Sequence, residues 1–291
     1  MFDLRYHVVS LAAVFLALVI GMLVGAGISE RGSLGDVERR SLEGKIASLR
    51  AERDAASSRK PEQKASDEVA RAGWEALVAY RLTGKRVAVL FVGPVDDGVR
   101  DAVQDTVTRA GGSIARLRAV TVPVPTQDVQ KALRARRPLR GYVGVDELGN
   151  VGHDLGAEFV HGGETPLWDA LADTLVEESG PEGGEAVDAV VVCRNALPQA
   201  GETGRVLKGI YSGLVGATRA AVGVERSNAD ISAVKAYRRS GLSSVDDVDL
   251  PAGRVTLAIL LAGGAHGQYG IKETSTDYVP EIEPVPPATV P

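Results

Sequence analysis

The chain has 291 residues, of which 24% are charged and 44% are hydrophobic, and 33 basic against 38 acidic side chains give a formal charge of −5. This length accommodates one or two domains with a sizeable core, and the mild acidity offers no basic patch for a nucleic-acid partner. The single cysteine, Cys193, excludes an internal disulfide and a cysteine-cluster metal site.

Hydrophobicity is concentrated near the N-terminus, where residues 8–28 carry no charge. As a helix this run spans about 30 Å, the hydrocarbon thickness of a bilayer. It exceeds the apolar core of a signal peptide, and Asp3 balances Arg5 before it, so a retained single-pass anchor is favoured over a cleaved signal. Gly21 and Gly25 form a G-x-x-x-G pattern that predicts self-association, although glycine is also common in membrane helices.

The charges flanking the anchor bear on its orientation. One arginine precedes the apolar run, whereas Arg31, Arg39 and Arg40 follow it closely. Counted literally, the positive-inside rule would keep the C-terminal side in the cytoplasm, but long soluble domains translocate largely regardless of such charges.

A charged segment, residues 31–60, follows the predicted anchor at residues 1–30. Leu42, Ile46, Leu49 and Ala56 recur at roughly heptad spacing within it, which predicts a short coiled-coil stalk or a single solvated helix. Pro61 interrupts the pattern, and a second helix is expected over residues 65–81.

Residues 61–271 read as a Rossmann-like, doubly wound α/β domain with a mostly parallel sheet, because apolar runs alternate with amphipathic segments. The runs predict strands at Val87–Val92, Ile114–Val122, Ala189–Cys193, Ala220–Val224 and Val255–Leu261. Helices are expected at Val99–Arg109, Gln127–Arg136, Pro166–Glu178 and Thr203–Ala217. Residues 137–164 and 225–250 read as irregular insertions, and residues 272–291, with five prolines, as an extended, disordered tail.

The loop after the first predicted strand contains Asp96 and Asp97. Ligands of open α/β sheets lie beyond the carboxyl ends of strands, so these carboxylates are candidate ligand-binding groups for a hard cation. Acidic residues that open a helix also stabilise its dipole, which explains the pair equally simply. The loop contains neither G-x-G-x-x-G nor a Walker pattern, so dinucleotide or nucleoside triphosphate cofactors are not supported.

Histidines and the cysteine offer weaker signals. His153 and His161 lie eight residues apart in a glycine-rich segment with Asp154 and Glu158 between them, compatible with a metal site or with a solvated loop. Cys193 ends a predicted buried strand, where a small core residue is expected, with a reactive role as the alternative.

The sequence from Gly263 to Gly270 carries the second candidate site. Because it directly follows the predicted strand Val255–Leu261, it would place His266, Gln268 and Tyr269 where a ligand binds. A tight, glycine-permitted turn is the structural alternative, and a catalytic role for His266 is a third.

Several of these segments carry a family resemblance. The N-terminal FDLRYHVVSLAAVFLALVIGMLVGAG, the acidic stalk, SSVDDVD followed by GRVTLAILLAGG, and HGQYG together resemble the actinobacterial copper transporter family typified by mycobacterial copper transport protein B. The resemblance covers nearly the whole chain. It implies a membrane-associated, non-enzymatic envelope protein of copper homeostasis, in efflux or as a channel component, with most of the chain outside the cytoplasm.

The predicted membrane anchor and the family resemblance indicate which partners the chain has. We expect the lipid bilayer, copper ions and further copies of the chain, associated through the membrane helix and stalk, because one helix cannot enclose a pore. Cu(I) prefers thiolate and thioether ligands, and the chain offers only Cys193, Met1 and Met22. An envelope scaffold or ligand-binding module without direct copper transport is therefore the alternative function.

Overall fold

The computed structural model describes residues 13–22, 68, 73 and 77–283. The chain divides into two compact units, residues 1–66 and 67–291. In the first unit, residues 13–22 are helical and their large apolar side chains are exposed. Among the described residues, no helix is both long and apolar enough to cross a membrane. Most of the predicted anchor, and all of the stalk at 31–60, lie outside the described residues.

The second unit is a mixed α/β fold built on one seven-stranded sheet. Its strands are β1 Arg86–Val92, β2 Ser113–Val120, β3 Val176–Glu182, β4 Ala189–Arg194, β5 Ala220–Val224, β6 Ser243–Val245 and β7 Gln268–Tyr269. Their order is β3-β2-β1-β4-β5-β6-β7, and every neighbouring pair is parallel except β2 and β3. The predicted mostly parallel sheet is confirmed.

Helices connect these strands across both faces of the sheet. They are α1 Asp97–Arg109, α2 Thr126–Ala135, α3 Leu148–His161, α4 Pro166–Leu175, α5 Gly201–Ala217, α6 Val234–Arg239 and α7 Pro251–Ala262, with a 3-10 turn at Arg137–Tyr142.

Side chains of β1 alternate between two hydrophobic cores. Ala88, Leu90 and Val92 pack in a core that includes residues of α2 to α6, whereas Val89 and Phe91 pack with α1 and α7 on the other face. A strand covered on both faces has no polar side, which explains its uninterrupted apolar sequence.

The prediction of a strand at Val255–Leu261 is wrong, because these residues form most of α7. All seven are buried, so the helix shows no polar stripe and its sequence resembles a buried strand. The true last strand is the two-residue β7, which pairs in parallel with β6.

The segments predicted as irregular insertions are largely ordered. Residues 137–164 contain the 3-10 turn and the fourteen-residue helix α3, and residues 225–250 contain α6 and β6. The predicted helix Pro166–Glu178 ends at Leu175, and the chain continues as the antiparallel edge strand β3. Its backbone pairing with β2, rather than β-rich composition, makes VEESGPE a strand.

The beginning of the predicted disordered tail is packed against the sheet. Asp246 accepts hydrogen bonds from the backbone N–H groups of Ile271 and Lys272 and from the Ser275 hydroxyl. Asp277 forms a parallel bridge with Tyr269. The prediction of a disordered segment is therefore wrong for residues 272–277. Residues 284–291 lie outside the described part of the chain.

Candidate functional site

The sheet changes its winding direction between β1 and β4. From β1 the chain passes through α1 to β2 on one side, and from β4 it passes through α5 to β5 on the other. The loops that leave the carboxyl ends of β1 and β4 therefore diverge, and ligands of open α/β sheets bind in the resulting crevice. We call the cavity at this place the switch-point crevice.

The two diverging loops contact each other next to the crevice. A Cβ atom on Gly93 would lie 2.9 Å from the carbonyl oxygen of Asn195, and Gly93 has a φ of +90°. Both the close approach and the positive φ require glycine. The Asn195 side-chain amide donates to the carbonyl oxygen of Pro94 at 3.1 Å, which fixes the second loop against the first.

The crevice encloses about 440 Å³. Residues from the ends of β1, β4 and β5 and the loops after them line it: Asp96, Val99, Cys193, Arg194, Asn195, Ala196, Leu197, Glu225, Arg226, Asn228, Ala229, Asp230 and Ile231. Asp96 is the N-cap of α1, and its carboxylate accepts from the backbone N–H of Val99 at 3.0 Å.

Arg194 and Arg226 bring two guanidinium groups to this crevice. Nη2 of Arg194 donates to the carbonyl oxygen of Ser232 at 3.1 Å, and Nη1 of Arg226 lies 3.4 Å from the position of a Cβ atom on Gly98 of α1. The Nε atoms of both arginines are buried without a hydrogen-bond acceptor among the described residues. Each of these buried donors therefore lacks the partner that buried polar groups normally have.

Glu225 is a buried acidic residue of the crevice that forms an ion pair with a lysine. Its carboxylate is paired with Nζ of Lys272 at 2.7 Å and accepts from the backbone N–H of Ala233 at 2.5 Å. The same Nζ donates to the carbonyl oxygen of Arg226 at 2.8 Å. Lys272 thus neutralises Glu225 and ties the segment after β7 to the end of β5.

Cys193, the penultimate residue of β4, is only 4% exposed. Burial raises the pKa of its thiol to about 12, with further contributions from the negative charges of Asp96 and Glu225. Since the thiolate is the nucleophilic form, both the burial and the raised pKa reduce the reactivity of this thiol at neutral pH. Its expected place in the core is confirmed.

A second acidic group follows β6, in the segment Asp246–Asp249. Asp249 accepts from the backbone N–H and the hydroxyl of Ser227, which lower its pKa against the effect of burial. Asp247 is 2% exposed, and its Oδ1 has no hydrogen-bond partner among the described residues. Burial, together with the charges of Asp246 and Asp249, raises the pKa of Asp247 to about 7.

The predicted site residues do not come together. Asp96 and Asp97 follow the carboxyl end of β1, whereas His266 precedes β7 and therefore lies at the amino-end edge of the parallel sheet. Asp97 is exposed and pairs with Arg100 at 2.8 Å. Of these residues, the switch-point crevice contains only Asp96.

Gln268 and Tyr269 have internal structural partners in β7. The Gln268 side-chain amide donates to the carbonyl oxygen of Leu242 at 3.1 Å, and the Tyr269 hydroxyl donates to that of His266 at 3.1 Å. The placement of this sequence after a strand's carboxyl end was wrong, because α7 precedes it. The alternative prediction, a turn that glycine permits, fits the structure of this segment, because φ is +150° at Gly267 and +133° at Gly270.

The histidines of the glycine-rich segment lie on α3 rather than in a loop. Eight residues of helix separate His153 from His161 by about 12 Å along the axis, too far to share an ion. His153 Nδ1 instead contacts Asp154 at 2.9 Å. Within residues 77–283 and the shorter described stretches, no group of three or more His, Cys, Asp or Glu side chains is arranged to hold a metal ion.

Similarity to a known protein family extends over nearly the whole chain. Residues 1–280 match the family described as copper transport outer membrane protein, MctB. The chain belongs to the MctB family.

Curated members of the MctB family include the copper transporters MctB of Mycobacterium bovis and of two strains of Mycobacterium tuberculosis. Each is 30% identical to this chain over 318 residues, covering 93% of this chain and 96% of the relative. The resemblance read from the two ends of the sequence is thereby confirmed.

Sequence reasoning missed the arginines and Glu225 of the switch-point crevice. A signal was present, because Arg194 ends the strand that begins AVVVC, and Glu225 and Arg226 directly follow AAVGV. The same rule that singled out Asp96, that ligands meet the carboxyl ends of strands, applies to all three positions.

Proposed function

We propose that this MctB-family chain is a membrane-anchored cell-envelope protein of copper homeostasis that acts in efflux or as a channel component and catalyses no reaction. The observation that carries the proposal is the family match over residues 1–280, a family described as copper transport outer membrane protein. Relatives named copper transporters share 30% identity across 93% of the chain.

The helical residues 13–22 support the anchoring part of the proposal. Val14, Phe15 and Leu16 are 65–70% exposed in the structure, and Met22 is 69% exposed. Such side chains are costly in water and favourable in lipid. We therefore propose residues 8–28 as the single-pass anchor, and we propose that most of the chain lies outside the cytoplasm.

Transport through a single helix requires assembly. One helix encloses no pore, so we infer a homo-oligomer joined through the anchor and the stalk at 31–60. The G-x-x-x-G pattern of Gly21 and Gly25 supports close helix contact, because small residues let two helices approach each other. Copper ions are then the cargo of the assembly.

Deletion of the gene in the source strain tests the copper role. We expect cell-associated copper, measured by inductively coupled plasma mass spectrometry after growth in copper, to rise in the deletion strain and to return to normal on complementation. Zinc and manganese, measured in the same samples, should not change. Unchanged copper combined with a broad change in dye permeability would contradict transport and favour an envelope scaffold.

Labelling in intact cells tests the placement of the domain. Tyr278 is 76% exposed, whereas Cys193, the only native cysteine, is buried. A Tyr278→Cys variant should react with a membrane-impermeant maleimide in intact cells, with the wild type as the silent control. Labelling that requires lysis of the cells would place the domain in the cytoplasm.

A further inference from the structure

We propose that the switch-point crevice binds a small organic anion, a carboxylate or phosphate that carries an apolar group. The inference does not depend on the proposed copper function. It stands on the cavity of about 440 Å³ at the ends of β1, β4 and β5 and on the two arginines that line it. This volume lies within the range of small-molecule sites, about 300–1,000 Å³.

Each of the two arginines has a guanidinium N–H group, that of Nε, without a hydrogen-bond acceptor among the described residues. Arg194 and Arg226 form no ion pair within 4 Å in the described part of the chain, and the Nε atom of each is buried without an acceptor. Guanidinium groups bind carboxylates and phosphates through planar pairs of N–H donors. An anion in the crevice would supply the missing acceptors.

The acidic residues of the crevice are already engaged by other partners. Asp96 caps α1 through the N–H of Val99, and Glu225 is paired with Lys272. Asp230 is exposed at the rim, where solvent screens its charge. With Glu225 neutralised by Lys272, the two arginines outnumber the one remaining carboxylate inside the crevice, that of Asp96.

The rim of the crevice indicates that the anion is organic. Leu197 is 65% exposed and Ile231 is 50% exposed, and both line the cavity. They come from the loops after β4 and β5, Leu197 three residues after Arg194 and Ile231 five residues after Arg226. An apolar group attached to the anion would remove these side chains from water, which an inorganic ion does not.

Calorimetric titration of the full-length chain in detergent micelles tests the proposal with phenyl phosphate and benzoate as probes. We expect saturable binding of at least one of them, and weaker or no binding of inorganic phosphate and of phenol. Arg226→Gln and Arg194→Gln should each weaken binding about tenfold or more, as loss of a charged hydrogen bond predicts. Arg239→Gln, an exposed arginine of α6, is the matched control and should bind like the wild type.

A rim variant separates binding from folding. Leu197→Glu changes an exposed side chain, so the fold is retained, and the added carboxylate should repel either probe and weaken binding about tenfold or more. Absence of saturable binding of both probes to the wild type would overturn the proposal. So would binding that is undiminished in both Arg226→Gln and Leu197→Glu. Neither result would bear on cell-associated copper in the deletion strain.

Discussion

A Cβ atom on Gly213 of α5 would lie 1.9 Å from the backbone carbonyl oxygen of His153 on α3. Facing it, a Cβ atom on Gly156 of α3 would lie 2.3 Å from the carbonyl oxygen of Ile210. The two helices thus approach backbone to backbone, which only residues without side chains allow. The glycine-rich sequence read as a loop is one half of this helix contact.

Gly213→Ala should destabilise the domain by about 1–3 kcal/mol, because the helices must move apart to admit the methyl group. Gly216→Ala is the matched control on the same helix. Its Cβ atom would have a nearest contact at 4.0 Å, so the helix-favouring alanine should be neutral or stabilising. Urea denaturation followed by circular dichroism compares the two variants, and a Gly213→Ala midpoint equal to that of Gly216→Ala would contradict the close contact.

Sequence patterns succeeded where one physical requirement decides the structure. The buried strands VAVLFV and AVVVC were predicted because a strand covered on both faces needs only apolar, largely β-branched residues. The run VTLAILL failed because a helix buried on all sides produces the same pattern. Its boundaries carried the missing signal, with Pro251 in the first turn and Gly263 in the left-handed conformation after the last.

The candidate site was predictable only in part. Asp96, Arg194 and Arg226 each follow a recognisable strand, but that the three side chains line one crevice depends on which strands are neighbours. Strand order follows from packing between distant segments, which no local pattern encodes. The pairing of Glu225 with Lys272, 47 residues later in the chain, is a further contact of this kind.

Glu158 of α3 caps a different helix. Its carboxylate accepts from the backbone N–H groups of Leu167 and Trp168 at 3.1 Å, at the start of α4. Thr165, the N-cap residue of this helix, makes no capping hydrogen bond with its side chain. Glu158→Ala should therefore cost about 1–2 kcal/mol of unfolding free energy. Glu164→Ala, an exposed acid in the preceding loop, should change the urea midpoint little, and equal midpoints for the two variants would argue against the cap.

Asp247 should make stability depend on pH. Burial raises its pKa from 3.8 to about 7, so between these values the folded chain holds a proton that the unfolded chain releases. Stability from this group is therefore full at low pH and falls as pH rises towards 7. Asp247→Asn should remove this pH-dependent loss of stability. The difference in melting temperature between Asp247→Asn and the wild type should therefore grow in favour of the variant from pH 5 to pH 8.

Asp249 provides the opposite control for Asp247. Its pKa is lowered, with the Ser227 hydrogen bonds outweighing burial, so its contribution is present above its unfolded pKa and lost in acid. Asp249→Asn should therefore destabilise the domain at neutral pH and matter less as the pH falls. Parallel pH profiles for the two variants would contradict the assigned environments.

The Cys193 thiol should react only slowly with thiol reagents in the folded chain. Its thiol is 4% exposed and its pKa is raised to about 12 by burial, so both access and thiolate formation are suppressed. Reaction with 5,5′-dithiobis(2-nitrobenzoic acid) at pH 8 should be slow in buffer and fast in denaturing urea, while the exposed Tyr278→Cys thiol reacts in both. If copper is cargo of the assembly rather than a ligand of this sulfur, Cys193→Ser should also restore normal cell-associated copper to the deletion strain. Fast labelling of the folded wild type, or failure of Cys193→Ser to complement despite a normal melting temperature, would instead assign this thiol a direct role.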